Sequence, residues 1–252
     1  QVLGLADRPE ASREAIEQAL RELADAYGPA HRSLIGPLRS LASLDTRQGR
    51  PRRAIRLLER AIAIATPYGR DGRASAGRSR LALGRLLAER GQTQSALAVL
   101  RQARNDLDAG FDQDESQISV RLELSDALLD VGDLATSAAM LDEARQLLEH
   151  IPNLDVWVRI AVGEQLRRND RSDAALEVLT IAIEESSVRG PRRNGLAEGA
   201  ACFARAEVQR ERGAATEFEA DLERALELLR THAPEDHPIR QAAESLRDQV
   251  TF

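Results

Sequence analysis

The 252-residue sequence contains no lysine, so arginine supplies all 35 of its basic side chains. A single cysteine excludes an internal disulfide, and no apolar run is long enough to span a membrane. Aromatic residues make up only 3%, which argues against a β-rich fold. No phosphate loop, nucleophile motif or complete metal-ligand spacing occurs, so we expect no catalysis, no metal and no cofactor. Residues 1–9 carry no secretory leader pattern, and we expect a cytoplasmic protein.

The composition that remains is typical of helices. Apolar residues make up 42% of the chain, and alanine, leucine, arginine and glutamate dominate. Charged residues make up 30%, with a formal net charge of −6, which disfavours a uniformly basic nucleic-acid binder. The sequence therefore predicts an all-α protein.

The sequence repeats itself at intervals of 38–43 residues. Apolar helical segments stop at five turn residues. At three fixed distances from these turns the residue type recurs, and each such set of equivalent positions is called a column. The turn residues are Gly49, Gly91, Gly132, Asp170 and Gly213. Nine residues further on stand Leu58, Leu100, Leu141, Leu179 and Leu222, and three beyond these stand Ala61, Ala103, Ala144, Ala182 and Ala225. Seven residues before the turns stand Ala42, Gly84, Ser125, Gly163 and Ala206.

These columns predict paired antiparallel helices. Small residues before each turn let the two helices of a hairpin approach closely, and the leucine and alanine columns share one helical face. Glycine at the turn supplies the left-handed backbone that ends a helix, and aspartate at 170 is a tolerable substitute. Because one hairpin cannot cover its own apolar face, the hairpins must stack into a solenoid.

We expect a single solenoid domain over residues 1–252. It would contain a first helix at 8–26, five hairpins at 31–66, 72–109, 114–150, 153–188 and 192–231, and a capping helix at 237–249. The first helix has no partner before it and the chain does not begin with methionine, which suggests a piece of a longer protein.

The columns resemble the tetratricopeptide repeat (TPR), a helix hairpin that builds right-handed α-solenoids. The usual repeat is 34 residues, and the longer period here, with Tyr27–His31 and Glu235–Pro238 at repeat junctions, resembles the kinesin-light-chain type. Such arrays occur in bacterial multidomain regulators. The resemblance implies a scaffold that binds a protein or peptide on its concave surface. Two alternatives are a sensor module of a larger bacterial kinase or transcriptional regulator, and self-association through the first helix.

In the family, the first helix of each hairpin lines the concave surface. The corresponding residues here are Arg39, Arg47, Arg78, Leu81, Arg85, Leu122, Asp126, Asp130, Trp157, Ile160, Glu164, Phe203, Glu207 and Glu211. We expect Trp157 to be an anchor for a partner, because aromatic side chains give large contact area at low entropic cost. The same spacing also fits a core role for Trp157 and for the other apolar residues.

Charge is distributed unevenly along the chain. Residues 1–110 hold 19 arginines and 12 acids, whereas residues 111–252 hold 16 arginines and 29 acids. A partner with acidic groups near Arg39, Arg78 and Arg85 and basic or apolar groups near Trp157 would be favoured. The alternatives are solvated outer faces or steering of head-to-tail association. Arg39 is followed by Ser43 rather than by the asparagine of chaperone-binding TPRs, so we expect no clamp for a C-terminal carboxylate.

Other signals point to structure rather than chemistry. His232, Glu235, Asp236 and His237 fit a loop and helix cap better than a metal site, and the acids around Asp106–Glu115 do not have calcium-loop spacing. The clusters Arg50-Arg52-Arg53 and Arg189-Arg192-Arg193 lack interleaved aromatics, so nucleic-acid binding is disfavoured. We expect Cys202 to be a buried apolar residue.

Overall fold

The computed structural model describes residues 9–110, 114–151, 154–188 and 194–250, and these residues form helices without any β-strand. The helices are α1 (Pro9–Tyr27), α2 (Ile35–Arg47), α3 (Pro51–Ala65), α4 (Gly69–Glu89), α5 (Thr93–Asp108), α6 (Glu115–Asp130), α7 (Leu134–His150), α8 (Val156–Arg168), α9 (Ser172–Val188), α10 (Gly195–Glu211), α11 (Ala215–His232) and α12 (Pro238–Val250). Short 3-10 turns at Arg32–Leu34 and Thr66–Tyr68 precede α2 and α4. The predicted all-α fold of helix hairpins is confirmed.

The five predicted turns share one backbone geometry. Each turn residue has positive φ, from 58° at Asp170 to 79° at Gly132. The amide of the following residue donates to the carbonyl five residues earlier at 2.8–3.0 Å, as Gln92 does to Leu87. This bond is the signature of a Schellman C-cap, which satisfies the last carbonyls of the first helix and turns the chain back.

The leucine and alanine columns form the seams of the core. Every member of the leucine column is at most 5% exposed, and every member of the alanine column is fully buried. The small column lies directly opposite the leucines, since a Cβ atom built on Gly84 would lie 2.5 Å from Cγ of Leu100. In the α6–α7 hairpin the small residue is Ser125. Its hydroxyl group forms a hydrogen bond of 2.8 Å with the hydroxyl group of Ser137 on α7. The predicted close approach of the two helices is confirmed.

The chain divides into two compact units, Gln1–Met140 and Leu141–Phe252, and the boundary falls inside α7. In unit 1, α1 packs Leu20 and Leu23 against a cluster that includes Leu34 and Leu38. Arg13 of α1 is itself buried and donates to Asp45, which is fully buried on α2. Apolar packing and an internal ion pair therefore fix α1 against the first hairpin.

Unit 2 has a core of its own. Its cluster contains Cys202 and Phe218 from the α10–α11 hairpin. Ala243 and Leu246 of α12 are buried in the same cluster, so this helix covers the apolar face of α11. No described helix is long and apolar enough to cross a membrane.

Candidate functional site

The first helices of three successive hairpins in unit 1 surround a hollow of about 370 Å³. Its walls come from α2, α4 and α6, and its floor includes Leu58 from α3 and Leu81. Five of the predicted groove residues line it, namely Leu81 and the four arginines Arg39, Arg47, Arg78 and Arg85. Ser43, Ser116 and Ser119 add hydroxyl groups beside these guanidinium groups. Glu89 and Glu115 also line it, so the hollow combines an apolar floor with a wall of four arginines, three serines and two glutamates.

Two of the four arginines have no ion pair or hydrogen bond from their side chains to the described residues: Arg39 and Arg47. Arg39 is half-buried, and Arg47 is exposed at the end of α2. Burial and the nearby charge of Arg78 lower the pKa of Arg39, while Asp114 partly offsets them. Because a half-buried guanidinium loses solvation without gaining a partner, it is the group in this hollow that gains most from an incoming anion.

The other two arginines are neutralised inside the protein. Arg78 donates through Nε to Oδ2 of Asp114 at 3.0 Å, and Asp114 also caps α6 by accepting from the Ser116 amide at 2.8 Å. Burial alone would raise the pKa of Asp114, but these hydrogen bonds lower it. Arg85 donates to Glu123 at 2.6 Å. Burial raises the pKa of Glu123, although the charge of Arg85 opposes that rise.

The remaining groove residues predicted in unit 1 differ in exposure. Leu81 is 6% exposed and belongs to a hydrophobic core cluster as well as to the floor of the hollow. Leu122 and Asp126 are half-buried on α6, and Asp130 is exposed at its end. The apolar members of the predicted groove thus serve mainly as floor and core, while the charged members reach the surface.

Unit 2 presents its own first-helix surface on α8 and α10. Trp157 and Phe203 are half-buried, and Phe203 packs against the core cluster of the unit. Ile160 is 4% exposed, so its side chain belongs to the core of α8. Trp157, the predicted anchor, is therefore partly exposed on this surface.

The acidic residues of this surface surround one arginine. Arg167 of α8 lies 2.5 Å from a carboxylate oxygen of Glu211 and 3.6 Å from one of Glu207, both on α10. Glu164 has no hydrogen bond or ion pair to the described residues, and partial burial together with the charge of Glu207 raises its pKa. Two carboxylates thus share Arg167, and Glu164 has no direct partner among the described residues.

Asp114, Glu123 and Arg167 are site residues that the groove pattern misses. Each lies on or beside a first helix and forms an ion pair with a residue 36–44 positions away, which is close to one repeat length. A search of the sequence for opposite charges one repeat apart would have found them. Hydrogen bonds between neighbouring repeats, rather than within one helix, decide which charges remain available.

The structure also shows where several of the signals set aside in the sequence lie. Cys202 is 2% exposed, and burial raises the pKa of its thiol to about 12. The described residues contain no group of three or more His, Cys, Asp or Glu side chains placed to hold a metal ion. Arg189, Arg192, Arg193 and Asp112 lie outside the described residues. The Arg50-Arg52-Arg53 cluster lies at the turn of the first hairpin.

Stacked hairpins, in which a Schellman turn joins the two helices and leucines pack against small residues, define the class of helical-repeat proteins. Within it, residues 37–108 match the family model of the tetratricopeptide repeat. The tetratricopeptide repeat is thus recognised in the sequence of residues 37–108, and the described chain shares its fold with solved repeat proteins of the kinesin-light-chain type expected from the junctions.

Two of those structures share the fold over most of the chain. BtubC (BKLC) from P. vanneervenii is 15% identical, with a TM-score of 0.72 over 93% of this chain and 95% of that one. The second structure contains the nearly identical TPR-like repeats of a kinesin light chain from Podosopora anserina. Its sequence is 19% identical to this one, with a TM-score of 0.62 over 81% of this chain and 99% of that one. No curated protein matches the sequence. At these identities the likeness concerns the fold alone.

Proposed function

We propose that this chain is a cytoplasmic, non-catalytic scaffold that binds a peptide or partner helix on the first-helix surface of its hairpins. The observation that carries the proposal is the hollow between α2, α4 and α6, where Arg39 and Arg47 have no ion pair to the described residues. The tetratricopeptide repeat is generally an interaction module, and its fold supplies binding surface without placing a nucleophile or a cofactor.

The bound segment is acidic where it meets unit 1. Arg78 and Arg85 already hold internal carboxylates, so recognition falls to Arg39 and Arg47, which form no ion pair with the described residues. A carboxylate entering the hollow would meet Arg39 and would be flanked by the serine hydroxyls of α2 and α6. On unit 2, the half-buried ring of Trp157 suits an apolar side chain, and Glu164 suits a basic one.

A peptide-display selection on the intact chain tests this specificity directly. The selected peptides should be enriched in Asp and Glu. Their affinity, measured by fluorescence anisotropy, should fall about tenfold or more in the double variant Arg39→Gln/Arg47→Gln, because charge-assisted hydrogen bonds are lost. The matched control is Arg73→Gln/Arg101→Gln, which removes two exposed arginines that do not line the hollow. Equal binding by both double variants would place the peptide elsewhere.

A second pair of variants tests unit 2. Trp157→Ala should weaken a bound peptide that carries an apolar residue, while the helical circular dichroism signal stays unchanged because the ring is only half-buried. Phe203→Ala should weaken the same peptide but also lower the melting temperature, since Phe203 packs against the core of the unit. Normal binding by a folded Trp157→Ala variant would remove this residue from the binding surface.

A further inference from the structure

Two hollows lie at repeat-equivalent turns, one in each unit. The hollow of unit 1 has a volume of about 470 Å³ and is lined by Gly49, Arg50, Pro51, Arg52, Arg53, Arg56 and Arg90. The hollow of unit 2 has a volume of about 330 Å³ and is lined by Asp170, Arg171, Ser172, Asp173, Ala174 and Arg212. In both, the lining begins at the turn residue of one hairpin and continues into the second helix of that hairpin. It also includes the residue just before the turn residue of the next hairpin. The two hollows are therefore the same structural position in two different repeats.

In unit 2 the positive charge of the hollow is neutralised by carboxylates of the protein itself. Arg212, the residue before its turn, forms an ion pair with Asp173, which stands three residues after the preceding turn. Arg171 in the same hollow lies 2.6 Å from a carboxylate oxygen of Asp142. Each arginine of this hollow thus has an internal carboxylate.

In unit 1 the residue equivalent to Asp173 is Arg52, and the residue equivalent to Arg212 is Arg90. The internal ion pair is replaced by two like charges, and Arg50 and Arg56 stand beside them. These four side chains are exposed and form no ion pair or hydrogen bond with the described residues. Only Arg53 has internal partners, at Glu17 and Asp45.

Apart from the partners of Arg53, no acidic side chain stands beside this charge among the described residues. The lining contains none, and the first turn of α3, which begins at Pro51, contains none either. Four guanidinium groups around one concavity repel one another, and a bound anion would remove that repulsion as the carboxylate of Asp173 does in unit 2.

We propose that the hollow formed by Arg50, Arg52, Arg56 and Arg90 is a binding site for a phosphate group. A guanidinium fork matches phosphate oxygens bidentately, and the nearly double charge of phosphate suits several arginines better than a single carboxylate does. The phosphate is either the free ion or a phosphorylated side chain of a partner protein. Nucleic acid is disfavoured because the lining has no aromatic side chain on which a base could stack.

Inorganic phosphate is the first probe, titrated at low ionic strength and followed by calorimetry on the full chain. Wild-type protein should bind one phosphate saturably. Arg52→Asp recreates the ion pair of unit 2 and should weaken binding at least about tenfold. Arg101→Asp makes the same change of charge on an exposed arginine outside the hollow and should bind as wild type does.

A phosphoserine peptide and its unphosphorylated twin separate the two sources. Tighter binding of the phosphopeptide than of inorganic phosphate, with no binding of the twin, identifies a phosphorylated partner. Equal binding of the phosphopeptide and the free ion identifies the ion as the ligand. Unaltered phosphate binding by Arg52→Asp, equal weakening by Arg101→Asp, or a DNA duplex that binds more tightly than the phosphopeptide would each overturn the proposal.

Discussion

Gly163 and Leu179 are in direct contact across the α8–α9 hairpin, and the leucine occupies the space where a Cβ atom would stand. A Cβ built on Gly163 would lie 2.5 Å from Cγ and 2.6 Å from Cδ2 of Leu179, which is fully buried. The same relation joins Gly84 and Leu100 in unit 1. Glycine on the first helix therefore leaves the space that the leucine side chain of the second helix fills.

Gly163→Ala should therefore lower the free energy of unfolding. Overpacking in a core costs about 1–3 kcal/mol, and the better helix propensity of alanine offsets at most about 1 kcal/mol of it. The control is Gly36→Ala in α2, where a Cβ would meet no atom within 4 Å. It should be neutral or stabilising in the same urea titration. Equal effects of the two substitutions would show that helix propensity alone decides the outcome.

The turns and the core seams could be predicted from the sequence because each depends on contacts within one hairpin or between neighbours. Gly132 and Asp170, for example, are marked as turn residues by the end of an apolar helix, and both have positive φ. The burial of Leu58 and Leu222 follows from the same spacing. Such features repeat, so five weak local signals reinforce one another.

Whether a given charged side chain forms an ion pair could not be predicted in the same way. Arg39 and Arg78 stand at corresponding helices of the predicted surface, yet Arg78 holds Asp114 while Arg39 has no described partner. Whether an arginine finds a carboxylate depends on a residue about one repeat away and on the angle between two helices. The burial of Ile160, a predicted surface residue, likewise depends on packing rather than on spacing.

Asp170 is the one turn residue of the five that is not glycine, and it has a φ of 58°. An L-residue in this conformation costs about 1 kcal/mol relative to glycine. Asp170→Gly should therefore raise the melting temperature, whereas Asp170→Ala should lower it because alanine lacks the local hydrogen bonding that lets Asp and Asn adopt this backbone. Differential scanning fluorimetry measures both shifts. A lower melting temperature for Asp170→Gly would mean that the carboxylate contributes more than the backbone conformation costs.

Arg13 holds α1 against the first hairpin through a fully buried carboxylate. Its Nη2 lies 2.5 Å from Oδ1 of Asp45 and 2.6 Å from Oε1 of Gln48. Arg13→Ala should cost about 3 kcal/mol, because it leaves the charge of Asp45 buried with Arg53, at 3.5 Å, as its one remaining ion-pair partner among the described residues. The loss should appear as faster amide exchange in α1.

The double variant Arg13→Met/Asp45→Leu separates charge from volume. Because an apolar pair can replace a buried ion pair without loss, it should recover most of the stability lost in Arg13→Ala. A double variant as unstable as the single one would show that the geometry of the ion pair, rather than the stranded charge, is required.

Asp114 links the hollow of unit 1 to the start of α6, and its contribution should depend on pH. Its pKa is lowered in the folded state by hydrogen bonds from Arg78 and Ser116. The folded protein therefore holds the proton less tightly than the unfolded chain does. The resulting stability is fully present above the unfolded pKa of about 4 and is lost as the pH falls through the lowered folded value.

Asp114→Asn keeps the helix cap but removes the charge, so it should cost about 1 kcal/mol at pH 7 and progressively less as the pH falls through the lowered folded pKa. Asp114→Ala also removes the cap, and its additional loss of about 1 kcal/mol should persist at pH 7 and at low pH. Urea unfolding of the three proteins at pH 7 and in acid measures these differences. An Asp114→Asn penalty that stays constant with pH would mean that Arg78 recognises the shape of this side chain and not its charge.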